Sequence, residues 1–433
     1  MVRKATGPTA KSADKPYRIA VIGGGISGLG AAWLLSRDHD VVLLEAAGRL
    51  GGHARTVDVM AGGREIAVDT GFIVFNRVNY PHLCRLFDLL EVPVRRSDMS
   101  FAVSLDGGAM EYGCRDIRSA LAQPMNAIRP GFWRMFRDIS VFNRTALGDS
   151  ENDPSLTIGG LIRRRRLGRW FERYYLLPMS GAIWSTPRDG MRDFPAAALA
   201  RFFENHGLLS FSGQHQWWTV DGGSRNYVSR IADGLRARVR LGANVEAVVR
   251  ERDGVRIKVT GLEAERFDHV VLACHADTAL SLLKDVGTAE RRILGHVPFR
   301  RNRIVLHTDS RHMPRRRACW SSWVYLARSG SGEDRASVTY WMNSLQGIPE
   351  DTPLFATLNP SVPVEESRIL DEHVFDHPQY DLGTMEAQAE LPSIQGQRGT
   401  WFCGAWTGMG FHEDGLASAV SVAGQMGVSP PWA

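Results

Sequence analysis

Residues 18–55 constrain the fold of this chain more than any other segment. A short apolar run, Ile19, Ala20, Val21 and Ile22, enters a glycine turn with the spacing Gly23-x-Gly25-x-x-Gly28. A helical stretch over 29–36 follows, and a second apolar run over 41–44 ends on Glu45, 17 residues past Gly28. The pattern predicts a strand, turn, helix, strand unit in which each residue type has a physical job. Gly23 permits the tight turn, Gly25 lets a pyrophosphate approach the backbone, and Gly28 lets the helix pack closely on the strand. The helix N-terminus offers free N–H groups and a positive dipole end to phosphates, and Glu45 can accept hydrogen bonds from ribose hydroxyls. Glycines also mark ordinary turns, so their spacing alone is weak; here strand, helix, second strand and terminal acid coincide. The unit reads as a dinucleotide site, with FAD, NAD and NADP open. No arginine directly follows Glu45, and an acid there repels a 2′-phosphate, which disfavours NADP.

The continuation Gly48-Arg49-Leu50-Gly51-Gly52-His53 separates the flavin from the nicotinamide reading, because nicotinamide dehydrogenases need no second glycine pair beyond the acid. It resembles the Arg-x-Gly-Gly turn of the flavoprotein superfamily of amine oxidases, protoporphyrinogen oxidases and phytoene desaturases. The resemblance implies that this turn packs against FAD and that Arg49 is a charge partner for the pyrophosphate. A glycine turn with a surface arginine is the plain alternative. Residues 401–406 read as a strand ending in a small-residue turn, and 410–420 as a turn feeding a helix that runs to about Gly424. In the superfamily a C-terminal turn and helix of this kind bind the ribityl chain and the N1 side of the flavin ring, where a helix N-terminus stabilises the negative charge of the reduced form. Glu413 and Asp414 also fit an ordinary acidic first turn.

A third piece lies between. Val220-Asp221-Gly222-Gly223-Ser224 precedes a helical stretch to about Ala237. Residues 239–249 alternate as a strand, 256–259 as another, and 268–274 end an apolar strand. The resemblance places Val245 against the adenine and returns the strand ending at Ala273 to the dinucleotide sheet. Carried over residue by residue, it implies a non-covalent FAD site made of Gly23, Gly25, Ile26, Ser27, Gly28, Glu45, Ala46, Arg49, Gly51, Gly52, His53, Thr70, Gly71, Phe72, Val245, Ala273, Gly404, Glu413, Gly415 and Leu416.

The expected fold is therefore α/β. A Rossmann-type FAD-binding domain is assembled from three segments, 16–80, 219–295 and 396–428. An α+β substrate domain, with a mixed or antiparallel sheet plus helices, comes from 81–218 and 296–395. Residues 1–15 are expected to be a disordered lead-in. Segments 69–76, 181–186 and 218–224 carry a closer likeness to a bacterial group of predicted flavoproteins within the superfamily. That group is linked to modification of membrane fatty acyl chains, including desaturation of methyl-branched chains.

Bulk properties narrow the class. A chain of 433 residues suits two intertwined domains. No apolar run reaches the roughly 18 residues needed to span a bilayer. The first 18 residues are polar and basic with no apolar core, so no secretory leader is expected. The five cysteines, Cys84, Cys114, Cys274, Cys319 and Cys403, lack metal-site or redox spacing, which argues for reduced thiols in the cytoplasm and no metal. Of the 52 basic residues only Lys4, Lys11, Lys15, Lys258 and Lys284 are lysines, a skew of composition that does not signal nucleic-acid binding. In the stretch Arg163–Tyr175, at about 100° per residue, Leu167, Trp170, Phe171, Tyr174 and Tyr175 share one face and arginines the other. Core packing is the preferred reading; peripheral membrane contact is the reading a lipid substrate would favour.

With FAD bound, the chain needs little acid–base machinery of its own, and it carries no nucleophile elbow, HExxH or Walker loop. Pocket candidates come from the inserted blocks: Asn76, Tyr80, Trp184, Trp341 and Asn343, with His275 as a base beside the cofactor strand. Core packing is the alternative for each. Cys403 reads as an inert small residue on a buried strand rather than a flavin attachment point. Many amine oxidases of the superfamily place a lysine near flavin N5; the matching region here, 297–307, has none. The expectation is an FAD-dependent oxidoreductase that removes hydride from an apolar substrate, in its most concrete form a methyl-branched fatty acyl chain of membrane lipid. Amine or porphyrinogen oxidation is the first alternative, and a non-catalytic flavin-binding protein the second.

Overall fold

The computed structural model describes residues 15–184, 191–209, 214–328 and 336–432. Of the expected lead-in only Lys15 falls within them. The apolar runs read from the sequence form a five-stranded parallel sheet in the order Arg238–Arg240, Asp40–Leu44, Arg18–Ile22, His269–Leu272 and Thr400–Phe402. Both faces are covered, which is why its central strands read as continuous apolar runs. On one face Ile19, Val21, Val41, Leu43 and Val271 pack beneath the helices Ile26–Leu35 and His412–Gln425. On the other, Ala20, Ile22, Val42, Leu44, Val270 and Phe402 pack against Val248, Val255 and Ile257 of a three-stranded antiparallel sheet. The two helices approach closely because small residues meet: a Cβ at Gly30 would lie 2.7 Å from Leu416, and one at Gly415 would lie 2.8 Å from Ser27 Oγ.

The single strand expected over 239–249 is two. Gly242 takes φ +66°, a left-handed turn that few other residues adopt at low cost. Arg238–Arg240 joins the parallel sheet, and Val245–Glu251 starts the antiparallel one.

The inserted blocks build a seven-stranded sheet in the order Ile369–Pro378, Phe299–His307, Phe355–Leu358, Ala336–Trp341, Trp323–Ala327, Phe101–Leu105 and Met110–Gly113. It is antiparallel except where Trp323–Ala327 runs parallel to Phe101–Leu105. The helices Pro130–Asn152, Ile158–Arg165 and Ala196–Asn205 share its core through Phe142, Leu161 and Phe203. The two layers interpenetrate more than the segment boundaries imply. The helix Pro81–Leu89 buries Leu83, Leu86 and Phe87 with the parallel sheet, while Val59 and Val68 of the hairpin Thr56–Ala61 and Arg64–Asp69 enter the core of the seven-stranded sheet.

The stretch 163–175 is not one amphipathic helix. Arg166 takes φ +53° and ends the helix Ile158–Arg165. A short helix Arg169–Phe171 and a π-helical turn Glu172–Leu176 follow. Leu167, Phe171 and Tyr175 are buried, and Trp170 and Tyr174 pack against the same core, so the aromatics serve the interior.

Candidate cofactor and substrate site

The glycine turn is tight for steric reasons. A Cβ at Gly23 would meet Ala273 O at 2.5 Å, and one at Gly28 would meet Gly23 O at 1.8 Å. Gly25 differs: its Cβ would meet nothing within 4 Å, because that side opens into a cavity. Gly25 is also the N-cap of the helix Ile26–Leu35, and no side chain caps that end. Uncapped N–H groups, a positive dipole end and an open approach at Gly25 meet the needs of a pyrophosphate. Glu45 closes the other side. Its Oε2 accepts from the Gly24 N–H at 2.5 Å and its Oε1 from the Ala47 N–H at 2.7 Å. These bonds aim the carboxylate while leaving lone pairs for ribose hydroxyls.

One cavity of about 670 Å³ joins this end to the seven-stranded sheet. Of the residues carried over for FAD, its lining includes Gly23, Gly25, Ile26, Ser27, Glu45, Ala46, Gly52, His53, Thr70, Gly71, Phe72, Val245, Ala273 and Gly404. These come from all three segments. The residues present fit an FAD molecule: they would hold its pyrophosphate at Gly23–Ser27, its ribose at Glu45 and its adenine near Val245.

The structure gives other carried-over residues different positions. Arg49 does not line the cavity. Its guanidinium donates to the carbonyls of Leu50, Gly52 and Ala54 at 3.2, 2.9 and 3.2 Å, so it holds the glycine turn rather than facing a phosphate. Gly28 is spent on helix–strand packing, and Gly51 donates its N–H to Gly24 O at 2.8 Å. Gly415 and Leu416 pack the C-terminal helix onto the first helix. Glu413 accepts from the backbone N–H groups of His82 and Leu83 at 2.9 and 3.0 Å, so it caps another helix. Asp414 caps its own, accepting from Met409 and Phe411 N–H.

Of the pocket candidates, Tyr80 and His275 line the cavity. His275 stacks on Phe299 with ring centroids 4.3 Å apart, and burial lowers its pKa. Asn76 does not line it; its Oδ1 accepts from the N–H groups of Val78 and Asn79, which makes the turn before the helix Pro81–Leu89. Asn343 is likewise structural, donating to Pro349 O and Thr352 O and accepting from the Leu354 N–H. Trp341 packs edge-on to Trp320 in a separate cluster. The side chain of Trp184 lies outside the described residues. Cys403 is fully buried and its thiol pKa is pushed up by burial, as an inert thiol requires.

Much of the remaining lining is apolar and aromatic: Met99, Phe101, Phe202, Leu208, Trp217, Ile304, Trp323, Tyr340, Leu358 and Phe375 are part of it, with Gln214, Asn244, Thr278 and Asp376 as polar members. Among the described residues it contains no lysine or arginine, and its acidic residues are Glu45 and Asp376. Five histidines line it: His53, His206, His275, His377 and His412. Burial lowers the pKa of each, to about 4 for His206 and His377 and to about 3 for His412, so these three are uncharged at neutral pH. His412 stacks on Phe72 at 3.8 Å and shares a 2.9 Å hydrogen bond with Tyr227. Sequence reasoning missed His206, His377 and His412. The nearest signal was the position of His377 and His412 beside strand and helix ends, which a lone sequence does not separate from core histidines.

Among the described residues no cluster of histidine, cysteine and acidic side chains could hold a metal ion, and no helix is long and apolar enough to cross a membrane. No curated protein matches the chain. Solved structures of the same architecture include a fatty acid isomerase from P. acnes that produces CLA, 15% identical, with a TM-score of 0.67 over 97% of this chain and 100% of that one. A putrescine oxidase bound to putrescine is 14% identical, with a TM-score of 0.66 over 95% of this chain and 99% of that one. A family model described as flavin-containing amine oxidoreductase matches residues 26–353. The chain belongs to that family, and it is an FAD-dependent oxidoreductase.

Proposed function

We propose that the enzyme dehydrogenates an apolar, acyl-chain substrate, most concretely a methyl-branched fatty acyl chain of membrane lipid. The observation that carries this reading is the substrate end of the cavity, whose wall is mainly aliphatic and aromatic and carries no lysine or arginine among the described residues. Such a wall binds hydrocarbon by removing it from water, at roughly 25 cal/mol per Å². When bound, FAD supplies the hydride acceptor. The chain's own residues do the rest. The aromatic and aliphatic wall orients the alkyl chain and excludes water. His275, kept neutral by burial, retains a lone pair that can take the proton released from the neighbouring carbon. The likeness to a fatty acid isomerase agrees with an acyl substrate, although at 15% identity it concerns the fold.

A lipid source calls for a membrane-facing surface. The buried aromatics at 167–175 do not provide one. Ile117, Met125, Ile128 and Trp133 are 81, 50, 70 and 52% exposed, and the exposed Arg115, Arg118, Arg134 and Arg137 lie in the same stretch. Apolar side chains flanked by arginines suit an anionic bilayer surface.

Amine oxidation is the second reading, favoured by Asp376, the one acidic residue besides Glu45 on the described lining. The test is anaerobic mixing of the FAD-loaded enzyme with each substrate class. Loss of the visible flavin absorption with branched acyl lipids supports the proposal. Loss with alkylamines alone overturns it.

A further inference from the structure

We propose that His377 is a hydrogen-bond donor of fixed polarity on the cavity wall, set in one tautomer by Asn302 and Asn359, and that it recognises an acceptor oxygen of the substrate, as in an acyl carbonyl. The identity of the ligand rests on the acyl-chain reading above; the polarity of the ring does not.

The direction of the hydrogen-bond chain follows from its backbone anchor. The Arg303 N–H donates to Asn359 Oδ1 at 3.0 Å. A backbone N–H only donates, so the Asn359 amide has one orientation, and its Nδ2 donates to Asn302 Oδ1 at 2.7 Å. That orients Asn302, whose Nδ2 sits 2.7 Å from His377 Nδ1. A second contact agrees, since the same Nδ2 donates to the Arg300 carbonyl at 3.3 Å. An amide nitrogen only donates, so His377 Nδ1 carries a lone pair and the neutral ring carries its proton on Nε2. Asn302 is fully buried and lies across from the terminal strand, which fixes the relay in the sheet.

His377 lines the cavity beside His53, with ring centroids 5.3 Å apart, and no described residue bonds its Nε2. Burial keeps the ring neutral at physiological pH. A neutral donor in an apolar wall suits an uncharged or anionic acceptor oxygen. An alkylammonium group has no lone pair and cannot use it. Asn302 and Asn359 are positioning residues in this account, acting through the imidazole.

The experiment uses the FAD-loaded protein labelled with ¹⁵N-histidine, read by long-range proton–nitrogen NMR at neutral pH and assigned by difference from His377→Gln. The expected spectrum shows His377 with a bare Nδ1 and a protonated Nε2. A protonated Nδ1 in the wild type overturns the proposal. Asn302→Asp replaces the donor with an acceptor and should move the proton to Nδ1; should that variant fail to fold, Asn359→Asp forces the same reversal from one link further away. Binding of palmitamide, followed by perturbation of the flavin spectrum, should weaken about tenfold in His377→Leu and in Asn302→Asp, the size of one lost hydrogen bond. His377→Gln, which keeps an N–H donor, should bind within a few-fold of wild type. Unchanged palmitamide binding by His377→Leu overturns the proposal. No binding by the wild type, with the expected tautomer in place, sinks the acyl reading and the ligand assigned here.

Discussion

Glu413 accepts a hydrogen bond from the Leu83 N–H at 3.0 Å, so a side chain of the C-terminal helix caps the helix that begins at Pro81. The bond ties the C-terminal helix His412–Gln425 to the helix Pro81–Leu89. An uncapped helix start costs about 0.5–2 kcal/mol. Glu413→Ala should therefore lower stability by about 1 kcal/mol in chemical denaturation while leaving flavin content unchanged, since Glu413 is off the main cavity. Loss of flavin without loss of stability would return Glu413 to the cofactor site.

Gly25 and Gly28 predict opposite failures. At Gly28 an added methyl group meets Gly23 O at 1.8 Å, so Gly28→Ala should disrupt the fold of the first unit by at least the ~1–3 kcal/mol of an overpacked core. At Gly25 the methyl group enters open space, so Gly25→Ala should fold normally and bind FAD about tenfold more weakly because it blocks the backbone's approach to phosphate. Equal FAD affinity in Gly25→Ala would contradict the cradle.

Asp69 joins the two layers. Its carboxylate accepts from Thr56 Oγ1, the Ser224 N–H and hydroxyl, and Gln346 Nε2. Burial nevertheless raises its pKa from 3.8 to about 6. The folded state then binds more protons than the unfolded state between those values. This group's contribution to stability accordingly falls as pH rises from about 4 to 6. Asp69→Asn should flatten that part of the profile. It should also cost about 1–3 kcal/mol at neutral pH, because the amide N–H₂ faces donors. Glu265 has the opposite sign: hydrogen bonds from Arg240 and Arg18 lower its pKa from 4.5 to about 2, so its contribution is lost as pH falls through that window.

The exposed apolar stretch predicts membrane behaviour. Ile128→Ser combined with Trp133→Ser should reduce the affinity for anionic phospholipid vesicles, read by co-sedimentation, at least about thirtyfold, since each side chain forfeits more than ~1 kcal/mol of burial. Binding by wild type and variant alike would remove this surface from the account.

The parallel sheet was legible because both its covered faces and its glycine turn leave marks in adjacent residues. Glu45 could be placed from spacing alone, as could the neighbouring parallel strands Arg18–Ile22, Asp40–Leu44 and His269–Leu272. Arg49 and Glu413 were not legible in the same way. A charge beside a glycine turn or at a helix start looks identical whether it meets a ligand or a backbone carbonyl or N–H across the fold. The histidine lining was hidden for a related reason. His206, His377 and His412 sit at a helix end, on the edge strand and at the start of the C-terminal helix, and only the tertiary fold brings them to one wall. The break at Gly242 was missed because alternation of apolar residues continues across it, while a φ of +66° leaves no trace in hydrophobic pattern.

The most direct measurement is the anaerobic reaction of FAD-loaded enzyme with a phospholipid bearing a methyl-branched acyl chain, followed by flavin absorption and by mass analysis of the acyl chain. Flavin bleaching is expected together with an acyl product two hydrogens lighter. Bleaching by alkylamines, with the branched lipid inert and unchanged in mass, would contradict it.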